Sequence, residues 1–403
     1  MGCANDKIAN TSATKVNDAD EVVDTGSANA AQSADTGIID DSVLASHTNL
    51  MGTVLSIEGA PLEGVIITTT TGEHTSTDIL GRYKIENASL VTNINERIGV
   101  TFELSGYTKN VKPITIVEDI DNLLNVRLDQ PDAVLMFSAS EGISDADSIE
   151  GLHITIQPGS LYSTVTGEVY EGQVALSVTK YEVGNATSRT AAPGDLTGIN
   201  ESGEVINLES YGMFSADLTG MPNGEILQLN EDMPASIEMM ISAAWTADAV
   251  EEIPAWSFNE TTLRWDYEGV GTNTAVYPGT GEAYTTWSFE PTHFSSWNSD
   301  MPWPAPSCVQ CTVINNNGQT VSGARIEVNG SERAYDSVGV SGADGKVCVE
   351  AVNGSLANLN ISYSFDGIPY TNSQEIAVPP GNNPCGADGE CSFSPDCTID
   401  IPL

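Results

Sequence analysis

The sequence predicts an all-β protein: tandem β-sandwich domains of Ig-like or prealbumin-like type behind a disordered N-terminal stalk. Three observations predict it. Short runs of alternating apolar and polar residues recur about every ten residues, with glycine- or proline-marked turns between them. The polar remainder is rich in Thr, Ser, Asn and Gly, which favours strands and turns over helices. Six of the seven cysteines fall between Cys308 and Cys397, the pattern of a small domain stapled by disulfides.

At 403 residues the chain suits roughly three domains. Lys and Arg number 14 against 56 Asp and Glu, a net charge of -42. Such a surface repels phosphate backbones and anionic lipid head groups, which excludes nucleic acid as a partner. It keeps a protein hydrated and soluble, and it suits calcium or cationic partners. No stretch approaches the roughly 20 apolar residues of a membrane-spanning helix.

Residues 1–47 contain no Phe, Trp or Tyr. They cannot bury enough apolar surface to offset their ordering entropy, so a disordered acidic stalk is expected there. Gly2-Cys3-Ala4 resembles the end of a bacterial lipobox, in which a small residue precedes the cysteine that carries lipid. The resemblance implies a signal peptide already removed, lipid on Cys3, and an outer-membrane lipoprotein at the cell surface or a secreted protein. N-myristoylation is a rival reading, but Asp6 stands where that motif wants Ser or Thr.

Residues 48–130 read as a first sandwich. Met51–Ile57 alternates and ends in the turn Glu58-Gly59-Ala60-Pro61; Leu62–Ile67 resumes with β-branched residues; Thr77–Ile85 gives a polar turn and another alternating strand. Gly64 is expected to let the chain bend between strands, and Gly81 to supply a positive φ in the turn opened by Asp78. Together, Gly52-x-Val54, Gly59-x-Pro61-Leu62-x-Gly64-Val65, Thr77-Asp78-x-x-Gly81-x-Tyr83 and Ser105-Gly106-Tyr107 resemble the carboxypeptidase regulatory-like domain, a transthyretin-type sandwich. No zinc-peptidase motif precedes it, so the resemblance implies no peptidase activity.

The pattern recurs in residues 304–403. Thr312-Val313, Gly318, Val321 and Gly323-Ala324 match Thr53-Val54, Gly59, Leu62 and Gly64-Val65 at a constant offset, and Asp344-Gly345-Lys346-Val347 echoes the later turn after an insertion. The repeat predicts a second prealbumin-like sandwich, with Ser341-Gly342-Ala343 departing from Thr77-Asp78. Cys308, Cys311, Cys348, Cys385, Cys391 and Cys397 are expected to form three disulfides. Cys308 and Cys311 point to opposite faces of an extended strand, so each should reach a different partner. Zinc is the competing reading of Cys308-Val-Gln-Cys311, but no second Cys-x-x-Cys and no later histidine follow.

Residues 131–303 are too many for one such sandwich. Leu152–Leu161 and Gly172–Val178 are alternating strands, and with Pro193-Gly194-Asp195, Gly203 and Tyr211-Gly212-Met213 they resemble the ZU-type β domain. Trp256-Ser257-Phe258, Leu263-Arg264-Trp265 and His293–Asn298 resemble the end of its relatives in cartilage intermediate layer proteins. Met301-Pro302-Trp303-Pro304-Ala305-Pro306 is expected to break the ladder and form a stiff linker.

Chemistry has few candidates. His47, His74, His153 and His293 are isolated, with no His-Glu-x-x-His and no Gly-x-Ser-x-Gly elbow. His153 should face solvent, and His293 should share strand parity with Ser295 and Trp297. Trp256, Phe258, Trp265 and Tyr267 are candidate ligand-binding aromatics: exposed, they could stack on sugars; buried, they are cross-strand pairs of a hairpin turning through residues 259–263. Asp145, Asp147 and Glu150 offer closely spaced oxygens for calcium, and Asp119 and Asp121 do so more thinly, without the later ligands of an EF-hand. No cofactor is expected beyond that calcium. The sequence thus points to a non-catalytic extracellular or cell-surface structural or adhesion protein with an unknown protein or glycan partner. A carbohydrate-binding surface protein is the alternative, and a hydrolase with a scattered site a more distant one.

Overall fold

The computed structural model describes residues 48–86, 97–146, 148–241, 249–275, 285–303, 305–365, 368–386, 391 and 397–401. The stalk, Cys3 and Asp147 lie outside these. The first region comprises β1 (Asn49–Ser56), β2 (Ile66–Thr69), β3 (His74–Ser76), β4 (Arg82–Ile85), β5 (Arg97–Glu103), β6 (Asn110–Thr115), β7 (Asp121–Leu123) and β8 (Val126–Leu128). One sheet runs β4-β1-β7 with β8 also on β1; the other runs β3-β2-β5-β6. Alternation does what a half-buried strand requires: Leu50, Val54, Ile67, Tyr83, Val100, Phe102 and Leu128 point between the sheets and form one core.

The middle region comprises β9 (Ala133–Ser138), β10 (Ile143–Asp145), β11 (Leu152–Ile156), β12 (Leu161–Ser163), β13 (Gln173–Tyr181), α1 (Ala186–Ala191), β14 (Thr197–Ile199), β15 (Val205–Met221), β16 (Glu225–Leu229), β17 (Ser236–Met240), β18 (Glu252–Asn259), β19 (Arg264–Ala275), β20 (Thr285–Phe289) and β21 (Ser296–Pro302). Its long path runs β10-β11-β17-β20-β19-β18-β21-β15-β13-β9. Four tryptophans, Trp256, Trp265, Trp287 and Trp297, are fully buried in its core. Each buried indole N–H finds a main-chain carbonyl, on Asp300, Asp195, Ile253 and His293 respectively.

The last region comprises β22 (Pro306–Asn315), β23 (Arg325–Gly330), β24 (Asp336–Val340), β25 (Lys346–Val352), β26 (Leu356–Phe365), β27 (Ile368–Ala377) and β28 (Cys397–Ile401). Its sheets run β25-β22-β28 and β24-β23-β26-β27, the plan of the first region repeated. β1 takes β4 antiparallel and β8 parallel, as β22 takes β25 antiparallel and β28 parallel. The turns correspond bond for bond: Val54 N–H donates to Gly81 O and Val313 N–H to Gly345 O, both at 2.8 Å. Gly81 and Gly345 take φ of 72° and 74°, where an L side chain is strained.

The departure at Ser341 disappears in three dimensions. Thr77 Oγ1 donates to Leu62 O (2.6 Å) and accepts from Val65 N–H (2.9 Å). Ser341 Oγ donates to Val321 O (2.8 Å) and accepts from Ala324 N–H (2.9 Å). A buried hydroxyl is what the position needs, and Ser supplies it as well as Thr.

Two other expectations are corrected. The ladder does not break at Met301: β21 pairs with β15 through Pro302 opposite Leu208, and Trp303 N–H continues to Asn207 O at 3.0 Å. Pro302 is the last residue of its strand, where its missing N–H costs little; Pro304 lies outside the described residues. His293 precedes β21 rather than belonging to it, so strand parity does not apply to it. The described residues fall in one compact unit.

Candidate functional site

What joins the three regions is a set of arginine clasps. Arg97 on β5 reaches into the middle region, donating to Asp195 Oδ2 (2.8 Å), Thr197 Oγ1 (2.9 Å) and Leu263 O (3.1 Å). Arg189, on α1, has a side chain only 1% exposed. It bridges to the last region through Gly330 O (2.9 Å) and the two oxygens of Asp336 (3.2 and 3.3 Å). Arg333 forks onto Glu209 of β15 at 2.5 and 2.6 Å, with that carboxylate 5% exposed. Ser364 on β26 ties directly to Asp121 on β7 at 2.7 Å. The planar, bidentate guanidinium suits such seams, because its several donors satisfy carboxylate and carbonyl partners at once.

Between these clasps lies a cavity of about 620 Å³ bordered by all three regions. Arg97, Lys112, Arg189 and Arg325, four of the 14 basic residues in the chain, line it alongside Asp195, Glu327, Asp336 and Glu350. Lys112 projects from β6 and donates to Ala192 O and to Gly194 O (3.0 Å). Burial lowers its ammonium to about 8, against the pull of Asp336, Asp195 and Glu327. The cavity lining is charge-balanced in a strongly acidic molecule, which sets it apart from an acidic groove.

The expected site residues fall elsewhere. Trp256 and Trp265 are 1% and 0% exposed and Phe258 is buried, so the exposed-aromatic reading is corrected: these rings are core. Trp256 meets Tyr267, and Phe258 meets Trp265, edge to face at 5.5 and 5.4 Å across the β18–β19 hairpin. Cross-strand packing claims the rings of Trp256, Phe258 and Trp265, while Tyr267 is half-buried against the same core. In the calcium candidate, Asp145 spends its two oxygens on Ser148 Oγ and N–H (2.8 and 3.2 Å), and Glu150 contributes its carbonyl to Lys180 at 2.8 Å. Among the described residues no carboxylates cluster at metal-ligand range. Asp119 sits at φ 61°, and Asp121 serves the Ser364 tie.

The six cysteines pair as Cys308–Cys391, Cys311–Cys397 and Cys348–Cys385, so Cys308 and Cys311 do reach different partners. His293 packs at a tilt against Trp297, ring centroids 4.9 Å apart, and lies 3.5 Å from Glu268, whose carboxyl it holds below its ordinary range. His153 stands in a cross-strand row that sequence reasoning did not assemble. Its Nε2 is 3.1 Å from Ser144 Oγ on β10, and its Nδ1 is 3.5 Å from Glu238 on β17. Strand register is the missing signal: His153 faces Glu238 directly, and Ser144 faces Thr155 two residues on.

No family model matches the chain. It is 32% identical over 113 residues to cartilage intermediate layer protein 2 of Homo sapiens, covering 28% of this chain and 10% of that protein. It is 26% identical over 186 residues to cartilage intermediate layer protein 1 of Homo sapiens, covering 46% and 14%. The Sus scrofa protein 1 matches at 32% over 112 residues, covering 28% and 18%. The chain therefore spans between a tenth and a fifth of the length of these relatives, and resembles them over part of itself. Among solved structures, the Bacillus anthracis TIE protein superposes with TM-score 0.19 at 9% identity, over 89% of this chain and 50% of that one. BcpA, the major pilin subunit of Bacillus cereus, gives 0.17 at 7%, over 88% and 99%. The RrgB pilus protein from Streptococcus pneumoniae also gives 0.17 at 7%, over 89% and 98%. Scores of this size carry no further argument.

Proposed function

We propose that this chain is a non-catalytic structural or adhesion protein of an extracellular or cell-surface setting, whose three β regions work as one rigid body. The observation that carries the reading is the pair of clasps made by the buried Arg189 and by Arg333 on the buried Glu209, which use scarce cations to lock the regions together. Three disulfides support an oxidising compartment. In this reading the flanking regions are carboxypeptidase regulatory-like modules, the middle is ZU-type, and lipid on Cys3 tethers the whole to an outer membrane. An extracellular protein or glycan is the partner, and the net charge argues against nucleic acid.

The test is calorimetry on the wild type and on Arg189→Ala/Arg333→Ala. Each truncation takes the cation from a partner carboxylate, of which Glu209 is the more buried and Asp336 keeps Asn329 Nδ2 at 2.7 Å; losing one partner of a fully buried pair costs about 3–5 kcal/mol, which sets the upper bound here. The wild type should unfold in one transition and the variant in several, with a larger hydrodynamic radius. Three separate transitions in the wild type would dismiss the rigid-body reading. Incorporation of labelled palmitate, lost in Cys3→Ser, checks the anchor.

A second reading, hydrolysis, is favoured by the Ser144–His153–Glu238 row, which places the right atoms in the order of a serine triad. It ranks second because Ser144 does not line the hollow of about 1070 Å³ that His153 and Glu238 border, and its Oγ lies as close to Thr155 Oγ1, at 3.1 Å, as to the imidazole. Labelling by a fluorophosphonate probe that vanishes in Ser144→Ala would raise it to first.

A further inference from the structure

β27 is the outermost strand of its sheet and, among the described residues, pairs only with β26. Eight of its ten residues are exposed. Glu375 is its one formal charge, in a chain with 56 acidic residues. Most devices that keep an edge strand from pairing are missing: it has no lysine and no register shift against β26, and its single proline stands at the second position.

The first copy shows this same edge in use. Its counterpart there is β6, and the middle region covers it: Gly194 N–H donates to Val111 O at 2.7 Å, while Asn110 Nδ2 reaches Ala191 O at 2.9 Å. No described residue does this for β27.

We propose that β27 is an interaction surface for a second copy of this chain, joined strand to antiparallel strand, so that two four-stranded sheets become one of eight. The order of residues on the edge argues for self-pairing. Pro369 has no N–H to give β26, which puts the main-chain groups of Pro369, Thr371, Ser373, Glu375 and Ala377 on the open side. A two-fold pairing must set open-side residues opposite one another, and a centre at Ser373 uses the whole strand. Ser373 then meets its own twin, Thr371 meets the partner's Glu375, and Tyr370 meets the partner's Ile376. The two carboxylates never face each other. Tyr370 and Ile376 already pack against their own core, so the two ends of the joined strands extend its apolar face, while between them the amides of Asn372 and the partner's Gln374 meet. Each copy carries a net charge of -42, so long-range repulsion opposes the pair and salt should favour it.

The test is sedimentation of the full chain in a Cys3→Ser background, at low and high salt, with two lysine substitutions on the same face. The wild type should show a monomer–dimer equilibrium that shifts toward dimer as salt rises. Ser373→Lys sets two ammonium groups opposite each other and should weaken the dimer. Thr371→Lys sets each ammonium opposite a carboxylate, twice per dimer, and should tighten it. A single cross-strand pair changes the dissociation constant by roughly two- to fivefold, and the symmetric pairs multiply. Both variants should melt with the wild type. Monomer under all conditions, or two lysines acting in the same direction, would overturn the proposal. So would a partner other than this chain bound at β27 in preference to its own copy.

Discussion

The two flanking sandwiches bring their first strand past their last at the same point and hold that crossing by different chemistry. In the first copy the crossing is so tight that a Cβ on Gly52 would lie 2.1 Å from Leu124 O. The hydroxyl of Tyr83 secures it by donating to the same oxygen at 2.7 Å. In the last copy Gly52, Tyr83 and Leu124 are replaced by Cys311, Val347 and Cys397, and the crossing is covalent, with Cα atoms 4.5 Å apart. The surroundings account for the choice. The first copy has its edge strand covered by the middle region, whereas the last copy leaves β27 bare. The copy whose edge strand is bare is the one that carries the disulfides.

Reduction is the largest lever on this difference. Each disulfide contributes about 2–4 kcal/mol, and all three lie in the last copy. Under reductant, hydrogen exchange should accelerate across residues 306–401 while residues 48–128 keep their protection. Equal loss in both copies would mean that the disulfides support the whole body rather than one module. Peptide mapping without reduction should recover Cys308 and Cys311 in different linkages.

Next in size is Gly52→Ala. Its methyl would have to displace a main-chain carbonyl, and overpacking of this kind costs about 1–3 kcal/mol, occasionally more. The complementary experiment transplants the last copy's solution: Gly52→Cys, Tyr83→Val and Leu124→Cys together should form a disulfide and recover the stability that Gly52→Ala loses. If the triple variant stays reduced under oxidant, the two crossings are less alike than their registers indicate.

A smaller effect tests the shared hydroxyl. Thr77→Val and Ser341→Ala each leave a buried N–H and carbonyl short of a partner, at a cost of about 1–3 kcal/mol. Denaturant melts of the two variants should agree within about 1 kcal/mol if the positions are equivalent. Thr77→Ser should be nearly silent.

How much of this was legible in the chain follows from the range of each interaction. Turn glycines, strand alternation, the repeat and the separate partners of Cys308 and Cys311 are local, or recur at fixed offset, and the sequence displays them. The aromatic hairpin was legible as two alternatives, and burial decided between them. Arg189 and Asp336 are 147 residues apart, and nothing in the pattern around either points to the other. The Ser144–His153–Glu238 row depends on the register of three strands, which a single sequence does not fix. Proline misled at Pro302 because its meaning depends on whether the strand has one residue left to run.

The finest contrast between the regions is in their response to pH, at the seam where the first copy hands over to the middle. Asp129 follows β8, and its carbonyl accepts from Thr108 N–H at 2.8 Å. Partial burial, then the nearby charges of Asp132 and Glu58, raise its carboxyl to about 6, although Gln130 N–H pulls it down. Between the ordinary aspartate value of 3.8 and about 6, the folded chain therefore holds a proton that the unfolded chain has lost. By linkage, this group makes stability fall as pH rises through that window, and its full penalty persists above it. Asp129→Asn removes the penalty. The stability gained over wild type should be near zero at about pH 4 and should level off above about pH 6. Half-exposed as the group is, the plateau should be on the order of 1 kcal/mol once solvent screening is allowed for. Comparing variant with wild type at each pH cancels the general relief of repulsion that acid gives so acidic a chain. A difference that stays flat from pH 4 to 7 would show that Asp129 titrates like an exposed carboxylate and that the seam is open to water.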